Sequence, residues 1–400
     1  MLEKTIKFPD YKSVAGQRFP LGSLKENDLR LRVCNTNESE CLEYTKILEN
    51  EGFIKRVEKI IPANCEYLES QNLFFLCTKD DLSIYIFWDC SIKTVFITAE
   101  ENTDLPCFGN YEEKLKKHNK VTVTQLSITM GMFYVITLTD GSFICVDGGL
   151  SREEDLVKAF DFFMENSEGK PIISAWYFTH SHIDHIGLAT DFINKYADKV
   201  EIKSFVYQFP DQDKIKVSME DTLKEQEGID RLENAIKNHC KSAKIYTAHT
   251  GHSFYYGDAE IEILYSPDNT FPYPYFSFNE LSLAIRLKVK DGKTVLFMGD
   301  CMCDGCRTIA HTYGEYLKSD ILQVAHHGLI GGDVYLYKFV DPSICLWPTP
   351  ESRFNGTLKG QKFQWCLGEG GCEYNAFLRD DSISKRQHYC HGENVTIELK

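Results

Sequence analysis

Short apolar runs separated by polar turns dominate the first hundred residues. Leu73-Phe74-Phe75-Leu76-Cys77, Leu82-Ser83-Ile84-Tyr85-Ile86-Phe87 and Thr94-Val95-Phe96-Ile97 read as successive strands. Asp80-Asp81 and Asp89-Cys90-Ser91 supply the turns between them, and residues 40–51 carry a helical pattern. The sum predicts a small α+β module with antiparallel pairing over residues 1–115. It holds no catalytic constellation. The charged run 111–120 is expected to act as a linker.

From Val121 the pattern changes. Strands are predicted over 121–128, 134–138 and 142–147, the last ending abruptly in Asp147-Gly148-Gly149. Ser151 suits the N-cap of a helix running to about residue 166, with Glu153 and Glu154 at its positive end. Residues 171–179 form an apolar strand, 187–197 a helix, 205–208 a strand and 218–240 a long polar helix. Further strands fall at 260–264, 282–289, 294–298 and 320–325, with a helix at 308–317. Hairpins are placed at Thr139-Asp140-Gly141 and Asp291-Gly292-Lys293. Alternating strands and helices over 121–400 predict two sheets covered by helices, an αββα sandwich in the α/β class. No internal repeat or low-complexity tract interrupts it.

Composition narrows the class. In 400 residues, 43% are apolar, which suffices for a sizeable core in each of two domains. The formal net charge of −15 repels polyanions and removes the basic footprint that nucleic-acid binding needs. The N-terminus lacks a basic start followed by an apolar run, and no stretch reaches membrane-span length, so neither a signal peptide nor a membrane partner is expected. The 15 cysteines are scattered and odd in number, which reads as reduced thiols and a cytoplasmic location. Oligomeric state is left open.

The chemistry concentrates in Thr179-His180-Ser181-His182-Ile183-Asp184-His185, between a buried strand and a helix. His180 and His182 are two apart, so extended backbone puts both on one side. Asp184 and His185 follow where the chain turns into the helix and can reach a second ion. Imidazole and carboxylate together suit zinc, with manganese or iron also accommodated. The bland alternative is a polar loop that happens to hold three histidines, a poor fit for a chain with 12 in all. Two later strands end in ligand-type residues: Gly299-Asp300, and Ala325-His326-His327-Gly328. Either alone is more often a turn. Beside the first cluster they complete a cage of His180, His182, Asp184, His185, Asp300 and His326. His326 is expected as the ligand because it stands nearest the strand end, leaving His327 for proton transfer.

This pattern resembles the metallo-β-lactamase fold superfamily. Its H-x-H-x-D-H motif stands at His180 to His185, its Asp-Gly strand end at Asp147-Gly148, its Gly-Asp strand end at Gly299-Asp300 and its last histidine at His326 or His327. The resemblance covers residues 121–400. It implies that Asp147 orients the metal-binding loop and places Asn279 beside the centre. Asn279-Glu280-Leu281-Ser282 and Ala325-His326-His327-Gly328 look like the branch with the competence-protein nuclease-like domain and the phosphorylcholine esterases, although His182 is kept where many members of that branch have Asp. The third histidine that many members give the first metal is not evident: His239 reads as surface, and His252 (with His249) reads either as that ligand or as a hairpin residue away from the metals. Cys301, Cys303 and Cys306 read as incidental thiols rather than a thiolate site, since no second matching pair exists. The aromatic segment 270–278 reads equally as a pocket wall or as packing.

The expected chemistry is metal-assisted hydrolysis with two divalent ions activating water and Asp184 or His327 handling a proton. A small-molecule substrate is expected. The resemblance favours a phosphodiester or phosphate ester, with a carboxylic ester, lactone or thioester as the alternative. A di-iron redox protein and a catalytically silent binding protein are the competing classes.

Overall fold

In a computed structural model, the described residues are 18–21, 29–63, 71–101, 111, 116–210, 222–270, 277–358, 375–380, 382 and 385–400. Residues 112–115 of the expected linker, most of the aromatic segment and the start of the long polar helix lie outside them. Among the described residues the strands form three sheets.

The first sheet contains β1 (Arg18–Leu21), β2 (Leu29–Cys34), β3 (Ile54–Ile61), β4 (Asn72–Lys79), β5 (Leu82–Asp89) and β6 (Thr94–Glu101), in the order β1-β2-β6-β5-β4-β3. Helix α1 (Glu38–Asn50) is capped by the Asn37 side chain, which accepts from the Glu40 N–H. Every neighbouring pair is antiparallel. Period-two alternation divides each central strand between two cores. Leu73, Phe75, Ile84, Ile86 and Trp88 pack with Tyr44 and Leu48 of α1. Phe74, Leu76, Tyr85 and Phe87 pack instead with Leu264, Leu296 and Trp347 of the C-terminal part. This sheet is therefore apolar on both faces and is not an exposed appendage.

The second sheet contains β7 (Thr122–Gln125), β8 (Tyr134–Thr137), β9 (Phe143–Val146), β10 (Ile172–Tyr177), β11 (Glu201–Ile202), β12 (Ser204–Tyr207) and β13 (Lys244–Thr247). The third contains β14 (Ser253–Tyr256), β15 (Ala259–Tyr265), β16 (Ala284–Val289), β17 (Thr294–Phe297), β18 (Ile321–Gln323), β19 (Ile344–Pro350) and β20 (Gln387–His391). The final strand, β21 (Val395–Glu398), returns to pair with β7 and closes the second sheet. Tyr134, Ile136, Ile144 and Val146 point between the sheets, where they meet Ile261, Ile263, Ile285 and Phe297. The alternate residues Val135, Phe143 and Cys145 face α2 (Glu153–Glu165), α3 (Ile183–Tyr196) and α4 (Thr222–His239). On the far side, α5 (Cys303–Tyr313) and α6 (Val334–Val340) share their apolar cluster with the first sheet. The result is an αββα sandwich with a further βα layer beyond α5 and α6. Two short helices, α7 (Glu351–Leu358) and α8 (Ala376–Arg379), flank β19 and β20.

Two local expectations are corrected. Helix α3 starts at Ile183, with His182 as its N-cap, rather than at Gly187, so Asp184 and His185 lie on its first turn. A carboxylate there is favoured by the helix dipole, a signal outweighed by the apolar periodicity that begins later. Arg152, not Ser151, is the N-cap of α2, because the Ser151 hydroxyl is taken up by Asp191 of α3. No helix among the described residues is long and apolar enough to cross a membrane.

Candidate metal centre

The ends of β9, β10, β17 and β18 meet at one place. Asp147 follows β9, His180 follows β10, Gly299-Asp300 follows β17 and His326-His327 follow β18. Gly299 has φ +53, and a Cβ there would lie 2.8 Å from the Thr179 side chain, so only glycine lets Asp300 approach the His180 loop. Gly131 is equally constrained: a Cβ would lie 1.9 Å from the Asp184 carbonyl oxygen.

The ligand atoms of His180, His185 and Asp300 converge in one group, and those of Asp184, His185 and His327 in another. Asp300 Oδ2 is 3.2 Å from His185 Nε2 and from His327 Nε2. It is 3.9 Å from His180 Nε2 and from His326 Nε2. His327 Nε2 also lies 3.3 Å from Asp184 Oδ2. His182 joins neither three-residue group but meets His180, with its Nδ1 3.0 Å from His180 Nε2.

The order within the histidine pair departs from the sequence expectation. His327, not His326, stands in the group with Asp184 and His185. The physical reason is the backbone. Strand β18 stops at Gln323, and both histidines take left-handed conformations, with φ +49 and +55. Counting from the strand end therefore misjudges which side chain turns inward.

Ring tautomers follow from the partners of Nδ1, since carbonyls and carboxylates only accept. His185 Nδ1 donates to Asp147 Oδ2 at 2.6 Å, His327 Nδ1 to the Pro348 carbonyl at 2.8 Å, and His326 Nδ1 to the Ile330 carbonyl at 2.9 Å. The Thr179 hydroxyl donates to Asp147 Oδ2 and accepts from His180 Nδ1 at 3.1 Å. Each of these four rings thus turns its Nε2 toward the centre. His185 Nε2, His327 Nε2 and Asp300 Oδ1 are buried without a hydrogen-bond partner among the described residues. Leaving such groups unsatisfied in the interior is costly. Several inward lone pairs beside buried carboxylates fit a divalent cation, and the two donor groups share His185.

The charge pattern agrees. Burial opposes ionisation of Asp300, yet His185, His327 and His326 hold its carboxyl well below the usual range. Burial likewise opposes a charge on His327, but Asp300 and Asp184 outweigh it and lift the imidazole up to about 10. Burial, with His185 and His182, pushes His180 well down. The carboxylates thus favour protons on His185 and His327, where a bound cation would take their place.

Asp147 enters neither ligand group. Its Oδ1 accepts from the Thr179 N–H at 2.7 Å, so one carboxylate ties both ends of the His180–His185 segment. Asn279 is buried and sits with its Nδ2 3.4 Å from His326 Nε2. Phe278 lies 6.0 Å, ring to ring, from His182, and Glu225 of α4 is 4.0 Å from His182 Nε2. Phe278 belongs to the aromatic segment read as a pocket wall or as packing, whereas Glu225 was missed, since nothing local ties it to the motif. Sequence reading also missed His391, at the end of β20, whose ring is held down by burial and by the charge of His327.

Other candidates lie elsewhere. His249 Nδ1 is 2.8 Å from Asp268 Oδ2 and its Nε2 3.5 Å from Glu100 Oε1, while its ring stacks on Tyr85 at 3.9 Å. His252 packs against Phe254 and Phe74. Neither belongs to a metal-ligand group among the described residues. Cys301 and Cys306 are buried in the apolar cluster beneath α5, where burial drives the Cys306 thiol well up.

No protein-family model matches the chain, and no curated protein matches it. Among solved structures it is similar to the metallo-beta-lactamase fold protein YhfI from Bacillus subtilis, at 12% identity, covering 70% of this chain and 100% of that one, with a TM-score of 0.38. It is similar to CmlA, a diiron beta-hydroxylase from Streptomyces venezuelae, at 10% identity over 72% of this chain and 55% of that one, with a TM-score of 0.40. It is also similar to Zn(2+)-bound PqqB from Methylobacterium extorquens, at 11% identity over 68% of this chain and 87% of that one, with a TM-score of 0.35.

Proposed function

We propose that this chain is a metal-dependent hydrolase that acts on a phosphodiester or phosphate ester of a small molecule. The supporting observation is the pair of ligand groups, His180–His185–Asp300 and Asp184–His185–His327, gathered at the ends of parallel strands. In this reading His180 and His182 would hold one ion and Asp184, His185 and His327 the other, with Asp300 facing His180, His185 and His327. Zinc fits this donor set best, with manganese or iron also suited. Two such ions supply a water of lowered pKa, about 7 for zinc, and electrophilic stabilisation of developing negative charge.

The chain's own residues do the rest. Asp147 fixes the His185 ring and the Thr179 backbone, so the motif is rigid before any ligand arrives. Asp184 points its Oδ2 at His327 and is the residue placed to orient or accept a proton. His182 and His326 are the more exposed rings, with side chains 17% and 18% accessible, and mark the side from which substrate enters. Residues 121–400 form the hydrolase domain, and residues 1–115 form a module that contributes no ligand. The phosphoester class rests on resemblance, carried by Asn279 to Ser282 and Ala325 to Gly328.

The test is a panel of chromogenic phosphodiesters, phosphomonoesters, carboxylic esters, lactones and thioesters, run alongside metal analysis. Zinc or manganese with phosphodiester turnover is expected. Turnover confined to lactones or thioesters would move the substrate class. A di-iron spectrum without hydrolysis would replace the reaction.

A further inference from the structure

The parallel strands β9, β10, β12 and β13 point their C-terminal ends toward the metal centre, and two clefts open where these strands begin. One, of about 370 Å³, is lined by Lys117, His118, Ser167, Lys170 and Lys203. The other, of about 300 Å³, is lined by Tyr246, Phe254 and Tyr256, with Lys244 and Ser204. They share Ser174, Lys203 and Tyr256, so they form one groove with two chambers. We infer that this groove is a second binding site, for a planar aromatic ring that carries a phosphate, as a mononucleotide does. The ring lies in the tyrosine chamber and the phosphate in the lysine chamber.

The groove is separate from the metal centre. Ser142, Lys203 and Lys244 stand where β9, β12 and β13 start, whereas Asp147 and His180 follow the ends of β9 and β10. Strands of this length span roughly 13–20 Å. No proposed metal ligand lines either chamber. The tyrosine chamber sits at the margin of the sandwich, because β13 ends the second sheet and β14 ends the third. Its walls are set in advance: Tyr246 meets Phe254 with ring centres 5.8 Å apart, and the Tyr256 hydroxyl is 2.9 Å from that of Tyr177. Such faces stack any flat ring.

The lysine chamber supplies what a phosphate needs, cations and a donor. Lys117 and Lys170 form no ion pair among the described residues, in a chain of net charge −15. The Ser167 hydroxyl is buried and has no hydrogen-bond partner among the described residues, which leaves its O–H to donate. Two carboxylates line the chamber, Asp140 and Glu168. Asp140 is committed to its own turn, accepting from the Ser142 N–H at 2.9 Å and from the Ser142 hydroxyl at 2.6 Å. Lys203 pairs with Glu201, and its side chain is still 53% accessible.

The experiment is calorimetric titration of the full chain with adenosine monophosphate, with adenosine and inorganic phosphate as half-ligands. Each is run with zinc and with EDTA, for wild type, the double variant Lys170→Ala/Lys203→Ala, and Tyr246→Leu. Wild type is expected to saturate below about 1 mM nucleotide, equally with zinc and with EDTA. The double variant should bind about 10-fold more weakly or worse. Tyr246→Leu should lose about fivefold or more, with a thermal melt to check folding. Both lysines are exposed, so the double variant decides the matter should Tyr246→Leu fail to fold. Absence of saturable binding, or equal affinity in wild type and the double variant, would overturn the inference. So would binding that vanishes with EDTA, which would place the phosphate on the metals. Inorganic phosphate binding as tightly as the nucleotide would overturn the assignment of the ring. None of these outcomes bears on the hydrolase reading, which is tested by turnover.

Discussion

The His185 ring and the Asp147 carboxylate are locked at 2.6 Å, both fully buried, across the gap between the end of β9 and the first turn of α3. Burial raises the Asp147 carboxyl, while the charge and hydrogen bond of His185 and the two bonds from Thr179 work against that rise. Asp147 itself holds a left-handed φ of +57, a strain tolerated because the side chain is bonded on three sides. Asp147→Asn cannot accept from all three donors, since its amide nitrogen opposes one of them. The protein is expected to stay folded at a cost of about 1–3 kcal/mol. Metal affinity should fall about 10- to 100-fold. Chemical denaturation with zinc-competition titration checks both.

Asp184→Asn is nearly isosteric and should leave packing intact while removing a negative ligand and the partner of His327. Turnover is expected to fall ~10²–10⁴-fold, the range for a positioned acid–base group. Steady-state kinetics on a substrate the wild type cleaves, with metal content alongside, decides it. Full turnover in this variant would dismiss the hydrolase reading.

The sequence made the first motif, Asp300 and Asp147 legible, because each stands at the end of an apolar run where a strand must stop. It also exposed the central strands of the first sheet through their alternation. What stayed hidden is instructive. The choice between His326 and His327 turns on two left-handed residues, and no periodicity reports those. Helix α3 began four residues early because its first turn is occupied by ligands instead of core residues. The β14 strand and the last two strands were missed because Ser253–Tyr256, Gln387–His391 and Val395–Glu398 are short and only partly buried, so their apolar pattern is weak. The embedding of the first sheet was missed because two-faced burial of β4 and β5 looks like an ordinary small core until the second face has a partner.

That embedding has a consequence for truncation. Phe74, Leu76, Tyr85 and Phe87 share a cluster with Leu264, Leu296 and Trp347, and Lys59 of β3 pairs with the buried Glu262 of β15 at 2.5 Å. A fragment covering 121–400 would expose this apolar face and leave Glu262 without one of its cations. It is expected to aggregate, although every proposed metal ligand remains in it. Phe74→Ala in the full chain should cost about 3–5 kcal/mol, as core aromatic truncations do. Urea unfolding measures the second effect and light scattering the first. A monomeric, metal-binding 121–400 fragment would show the first sheet to be dispensable.

The same interface should carry a pH dependence. His249 is buried between Asp268 of the C-terminal part and Glu100 of β6, and Asp268 also pairs with Arg30 of β2 at 3.1 Å. Burial disfavours the imidazolium, but Asp268 and Glu100 outweigh it and raise the pKa to about 9. An unfolded chain titrates its histidines near ~6.5. The folded state therefore binds this proton more tightly than the unfolded state. Its contribution is complete below about pH 6.5 and declines as pH rises through about 9, in total by roughly 3 kcal/mol. Stability measured by urea unfolding at fixed metal concentration should fall across that window. Glu100→Gln removes one of the carboxylates and should shift the fall to lower pH. His249→Gln should abolish this component of the slope while leaving the acid limb, set by carboxylates such as Asp268, in place. A wild-type profile flat between pH 6.5 and 9, or an unchanged slope in His249→Gln, would mean that the imidazole at the interface is neutral.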